Sequence, residues 1–112
     1  MNDDRLDLVF GALADRTRRA ILARLADGEA SVNDLVVLVG LSQPAVSKHL
    51  KVLENAGLVS RSRQGQMRLS RLEAEPLKVV SRWIGTYQEY WSASFDRLDD
   101  VLRRAGERDP EQ

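Results

Sequence analysis

The chain has 112 residues, 43% of them hydrophobic, with 17 basic and 17 acidic side chains, one histidine and no cysteine. That suits one domain with a modest core; it excludes disulfides, thiolate metal sites and a cysteine nucleophile, and leaves little for imidazole chemistry. No apolar run approaches the ~18 residues of a membrane span, and the start, Met-Asn-Asp-Asp-Arg, lacks the regions of a signal peptide, so the expected setting is the cytoplasm with no membrane partner.

In chain order, residues 6–14 carry Leu6, Val9, Phe10 and Leu13 at helical spacing and predict a short packing helix. Asp15 is suited to cap a second helix whose buried stripe is Ile21, Leu22 and Leu25, ending at Asp27-Gly28. Its arginines, Arg16, Arg18, Arg19 and Arg24, admit two readings, a solvated face with local ion pairs to Asp15 and Asp27, or auxiliary phosphate contacts. Ser31 caps a third helix, Val32 to about Val39, burying Leu35 and Leu38 and closed by Gly40.

Only Gly40-Leu41-Ser42 separates this helix from the next, in which Ser42 is the cap, Gln43 and Pro44 form the first turn, and Gly57 marks the stop. Val46, Leu50 and Leu53 repeat on one face, while Gln43, Ser47, Lys48 and Lys51 fall on others. Two short helices joined by so tight a turn match a helix-turn-helix, whose second helix enters the DNA major groove. After Gly57 the period changes to that of a β-hairpin over residues 58–71, turning near Gln64-Gly65. Val59 starts its buried face with Arg61 and Arg63 following toward the tip; Met67, Leu69 and the Arg71 stem share one face of the second arm, and Gln66, Arg68 and Ser70 the other. The hairpin reads as a wing beside a groove-binding helix, with charge-blunted edges as the plainer alternative.

Charge supports the wing. Residues 1–41 hold five basic and seven acidic side chains, residues 42–71 six basic and only Glu54, and residues 72–112 six basic and nine acidic, giving balances of -2, +5 and -3. Lys48, Lys51, Arg61, Arg63 and Arg68 are therefore candidates for phosphate neutralisation, and Gln43 and Ser47 for base-edge hydrogen bonds. His49 has two readings, a phosphate donor or a packed structural imidazole.

A single last helix is expected from about Glu75 to Leu102, with Pro76 in its first turn. Leu77, Val80, Ile84, Tyr87, Trp91, Phe95, Leu98 and Leu102 recur at intervals of three and four, a stripe too long for a small core to cover. Ile84, Tyr87, Trp91, Phe95 and Leu98 are accordingly expected to form a dimer interface. Trp83, Tyr87, Tyr90 and Trp91 at that seam could alternatively line an apolar effector pocket. Residues 103–112 are expected to be a flexible tail after a domain over 1–102.

The segments Ala-Leu-Ala-Asp-Arg-Thr-Arg-Arg-Ala-Ile-Leu-Ala-Arg-Leu (12–25), Leu-Ser-Gln-Pro-Ala-Val-Ser-Lys-His-Leu-Lys-Val-Leu (41–53) and Ala-Gly-Leu-Val (56–59) resemble the signature segments of the ArsR/SmtB, or arsenic-repressor-like, bacterial transcription regulators. The resemblance covers residues 8 to about 102. It implies a winged-helix homodimer that binds a palindromic or near-palindromic double-stranded operator, represses transcription until an inducer releases it, and faces the operator with Ser42, Gln43, Ser47, Lys48 and His49. The family's metal sensors carry cysteines in the helix before the recognition helix. The matching run here is Asp34-Leu35-Val36-Val37-Leu38, and the last helix contains no histidine. Neither metal site is therefore expected, a carboxylate site across the dimer stays open, and the chain resembles the non-metal branch with no cofactor and an unidentified small-molecule effector.

The combined expectation is a mainly α protein with a small β-hairpin, a winged helix-turn-helix dimerised by its terminal helices and acting as a DNA-binding regulator rather than an enzyme. A winged helix that binds a protein partner is the competing reading.

Overall fold

A computed structural model describes residues 3–107. They form α1 (Asp3–Leu13), α2 (Arg16–Leu25), β1 (Ala30–Ser31), α3 (Val32–Val39), α4 (Gln43–Asn55), β2 (Val59–Gln64), β3 (Met67–Leu72), α5 (Glu75–Gly85) and α6 (Gln88–Glu107). The chain divides into two compact units, residues 1–80 and 81–112, with the boundary inside α5.

The first unit is an α+β domain with its core where the helices meet a three-stranded antiparallel sheet of order β1-β3-β2. Val9, Ile21, Leu35, Val46, Leu50, Leu53 and Leu58 are fully buried. Removal of each such side chain from water contributes roughly 1.5–3 kcal/mol, so the helices are held mainly by these apolar faces. Caps set their ends. Asp15 accepts from the Arg18 backbone N–H at 3.1 Å, and Ser31 and Asp34 form a reciprocal capping box at 3.1 Å in each direction. At the end of α4, the Leu58 N–H donates to the Leu53 carbonyl and the Gly57 N–H to the Glu54 carbonyl, both at 2.9 Å, with Gly57 at φ 76°. This reversal requires a left-handed residue and carries buried Leu58 back over buried Leu53.

Several expectations are corrected here. In α1 the buried residues are Val9 and Ala12, while Phe10 is exposed, because the core-facing arc is narrower than the apolar stripe. Leu38 is exposed at 51% and Val37 at 83%, since α3 is one short helix that seats Leu35 alone in the core. Strand β1 was not expected; two residues carry no period, yet Ala30 pairs with Ser70 and Ser31 with Leu69. In β3 the core-facing side is that of Ser70, which pairs with buried Ala30, rather than that of Met67 and Leu69, and Met67, next to the turn, is exposed at 55%.

The expected single last helix is interrupted. Gly85 ends α5, the Thr86 hydroxyl donates to the Trp83 carbonyl at 2.8 Å, and the Tyr87 N–H reaches Ile84 rather than Trp83, at 2.9 Å. The hydroxyl and the tightened turn take over the helix's terminal carbonyls, and α6 restarts at Gln88. The apolar repeat runs across this break, which is why periodicity alone missed it. Of the expected tail, residues 103–107 continue α6, and residues 108–112 lie outside the described residues.

Candidate nucleic-acid interface

Helix α4 is fixed by its buried face and presents the opposite one. Val46, Leu50 and Leu53 point into the core, and at ~100° per residue this leaves Pro44, Lys48 and Lys51 on an exposed arc with half-buried Ser47 at its edge, while Gln43, in line with Val46 and Leu50, is exposed because it stands at the helix start. The Ser42 hydroxyl accepts from the Ala45 N–H at 3.3 Å, so it closes the helix start while remaining at the surface. Pro44 sits in the first turn, where its missing N–H has no intrahelical partner to lose.

His49 lies off that arc. Its ring is 21% exposed and turned toward α2, with Nδ1 3.3 Å from Arg18 Nη1 and 3.9 Å from Asp15 Oδ1. The geometry matches the packed imidazole of the two readings. Arg18 keeps the expected local pair with Asp15, at 4.0 Å, but is only 17% exposed and hydrogen-bonds the carbonyls of Gly11 and Ala12.

In the wing, register pairs Arg61 with Ser70 and Arg63 with Arg68. Arg61 is near the base, its Nε 3.4 Å from Glu54 Oε1 on α4. That Nε is buried and makes no hydrogen bond, so the contact is an ion pair between wing and helix rather than a free cation at the tip. Arg63 and Arg68 are both exposed beside the Gly65-Gln66 turn. Two like charges directly opposite destabilise a hairpin unless an anion lies between or beside them. Arg71 instead pairs with Glu73 at 3.3 Å. The carboxyl of Glu73 is held below the usual range, first by the Ser60 hydroxyl, which donates to it at 2.7 Å.

A polar cleft of about 280 Å³ joins the two halves of this surface, bringing Gln43 at the start of α4 to Gln66 and Arg68 of the wing and to Asn33 in the first turn of α3. Asn33 and Gln66 were missed by sequence reasoning. Only the meeting of α3 with the wing, through β1, brings them to the cleft, and β1 has no sequence signal.

The second unit carries the other candidate surface. Tyr87, Trp91, Phe95 and Leu98 are exposed and Ile84 is half-buried, while α6 has no buried residue among those described. Trp83 and Tyr87 meet edge to face at 5.5 Å between ring centroids. An apolar stripe of this length, running from the end of α5 into α6, exceeds what a monomer ordinarily leaves open to water.

The model of the bacterial regulatory proteins of the arsR family matches residues 15–61, from the cap of α2 to the base of the wing. YuzN of Bacillus subtilis, an HTH-type transcriptional regulator, is 38% identical over 92 residues, covering 75% of this chain and 99% of the relative. The transcriptional repressor SdpR of the same organism is 34% identical over 76 residues, covering 68% and 84%. Among solved structures, the ArsR family transcriptional regulator RHA00566 superposes with a TM-score of 0.75 at 37% identity, over 82% of this chain and 95% of that one. The homodimeric winged helix-turn-helix DNA-binding domain Mb0332 of Mycobacterium bovis gives 0.64 at 25% identity, over 83% and 93%. With the capped reader helix, the adjoining wing and these likenesses in agreement, the chain belongs to the ArsR family of winged helix-turn-helix transcriptional regulators.

Proposed function

We propose that this chain acts as a homodimeric repressor in the cytoplasm, binding a palindromic operator through Ser42, Gln43, Ser47, Lys48 and Lys51 of the reader helix and the wing, and released by a non-metal signal. The observation that carries the reading is the pairing of Arg63 with Arg68 across the exposed hairpin, beside a helix that exposes Gln43 at its start and Lys48 and Lys51 on its outer arc. Phosphates neutralise that repulsion, and each released counterion makes binding steeper in salt. Gln43 and Ser47 supply the base-edge hydrogen bonds, glutamine being suited to adenine. Asn33 and Gln66 extend the polar surface on which the sugar-phosphate strand lies between α3 and the wing.

One short reader helix distinguishes few base pairs, so useful specificity needs two half-sites about one DNA turn apart and hence two copies. The stripe of Ile84, Tyr87, Trp91, Phe95 and Leu98 joins them. SdpR, a transcriptional repressor, and Mb0332, a homodimeric DNA-binding domain, support the same assignment. Enrichment of duplexes bound by the purified protein from a random pool should yield an inverted repeat with about ten base pairs between half-site centres. Recovery of no motif, together with salt-insensitive capture of a protein partner, would reject DNA reading in favour of a protein-binding winged helix.

A further inference from the structure

A cleft of about 590 Å³ lies between α1 and the last turn of α4. Its α1 wall is Asp4, Asp7, Leu8 and Gly11, which at ~100° per residue share one face of the helix, and its α4 wall is Val52 and Asn55. The volume falls within the range of about 300–1,000 Å³ of small-molecule sites. Leu8 is 52% exposed and Val52 38%, so the apolar part of each wall is open to water as it stands. Gly11 widens the space between them, since a Cβ built there meets nothing within 4 Å. Buried Ala12 closes the cleft on the core side.

The charge in the lining is of one sign. Asp4 and Asp7 stand about one turn apart on α1 and both line the cleft, whereas the basic residues next in sequence to its walls, Arg5 and Lys51, do not. The helix dipole accounts for acidic side chains in the first turn of α1, Asp3 and Asp4, but not for Asp7. Apolar walls beside two carboxylates complement a molecule with an apolar body and a positive head, and the same carboxylates repel an anion of equal shape. We propose that this cleft binds an amphipathic organic cation, an ammonium or amidinium carried on an aromatic or aliphatic body, with its head at Asp4 and Asp7 and its body along Leu8, Gly11 and Val52. The site shares no residue with the operator-binding set or with the stripe of the second unit, and it does not rest on the DNA reading. Because Val52 and Asn55 belong to the reader helix, a ligand seated there touches that helix directly.

The probe is 1-naphthylmethylammonium, compared with 1-naphthylacetate, which carries the same ring and the opposite charge. Both are titrated into the full chain at neutral pH and followed by amide and methyl NMR. The ammonium should bind saturably, shift the Gly11 amide and the Leu8 and Val52 methyls, and bind roughly tenfold tighter than the acetate, about the worth of two exposed ion pairs. The double variant Asp4→Asn, Asp7→Asn should bring the two affinities together. Gly11→Leu fills the cleft from a helix interior that favours leucine over glycine, so it should keep or raise the urea midpoint and lose ammonium binding. No saturable binding, equal affinities for the two probes in the wild type, shifts confined to the aromatic residues of α6, or a Gly11→Leu protein that binds as the wild type does would each overturn the site. Binding that appears only once Trp91→Glu has separated the copies would also overturn it, and would assign the cleft to a second copy of the chain.

Discussion

Side chains of one type do different work on this surface. Lys48 lies on the exposed arc of α4, whereas Arg61 is half-buried against Glu54. Lys48→Ala should weaken binding to all duplexes alike and lower the slope of log affinity against log salt by about 0.9, measured by fluorescence anisotropy from 50 to 300 mM salt. Arg61→Met and Arg63→Met should separate in the opposite sense. The first removes one member of a partly buried pair and leaves Glu54 half-buried without it, shifting the denaturation midpoint; the second leaves that midpoint unchanged and weakens DNA binding. The basic residues were legible from sequence because charge clusters along the chain. Their division into anchors and free cations was not, because it depends on cross-strand register and on the face each strand residue takes.

Helix ends were the most legible elements. Ser31, Ser42, Gly40 and Gly57 terminate helices where short-range hydrogen bonding dictates, with no help from distant contacts. The Ser31-Asp34 box also gives a pH prediction. Backbone and side-chain hydrogen bonds from Ser31 hold the Asp34 carboxyl below its usual range. A carboxyl depressed in the folded state contributes stability above its unfolded pKa of about 3.9, and the contribution is lost as pH falls through the folded value. Asp34→Ala should therefore cost stability at pH 7 and progressively less below about pH 4, read as the gap between wild-type and variant urea midpoints. A gap that stays constant down to pH 2.5 would show that the capping carboxylate contributes nothing. Elements with long-range causes were illegible. Strand β1 exists only because β3 lies beside it, and the break at Gly85-Thr86 was hidden because the apolar repeat on either side keeps its phase.

The whole molecule has a reader and a coupler in different parts of the chain. The reader is built in the first unit around Val46, Leu50 and Leu53, and the aromatic stripe proposed as the coupler lies in the second. Both functions were legible in outline, since a fully apolar face, a basic segment and an unburied aromatic stripe each point outward from local sequence. The packing of His49 against Asp15 and Arg18 was not legible, because these partners are distant in sequence and meet it only through the packing of α2 on α4. The central claim is that operator binding needs two copies joined through the stripe. Trp91→Glu places a charge in the middle of that stripe, and analytical ultracentrifugation with and without the enriched duplex tests the claim most directly. The account predicts a folded monomer with specific affinity lowered at least a hundredfold, about 2.7 kcal/mol, and little change in its weak binding to unrelated duplex. A Trp91→Glu protein that stays dimeric and binds the enriched duplex as tightly as the wild type would contradict it.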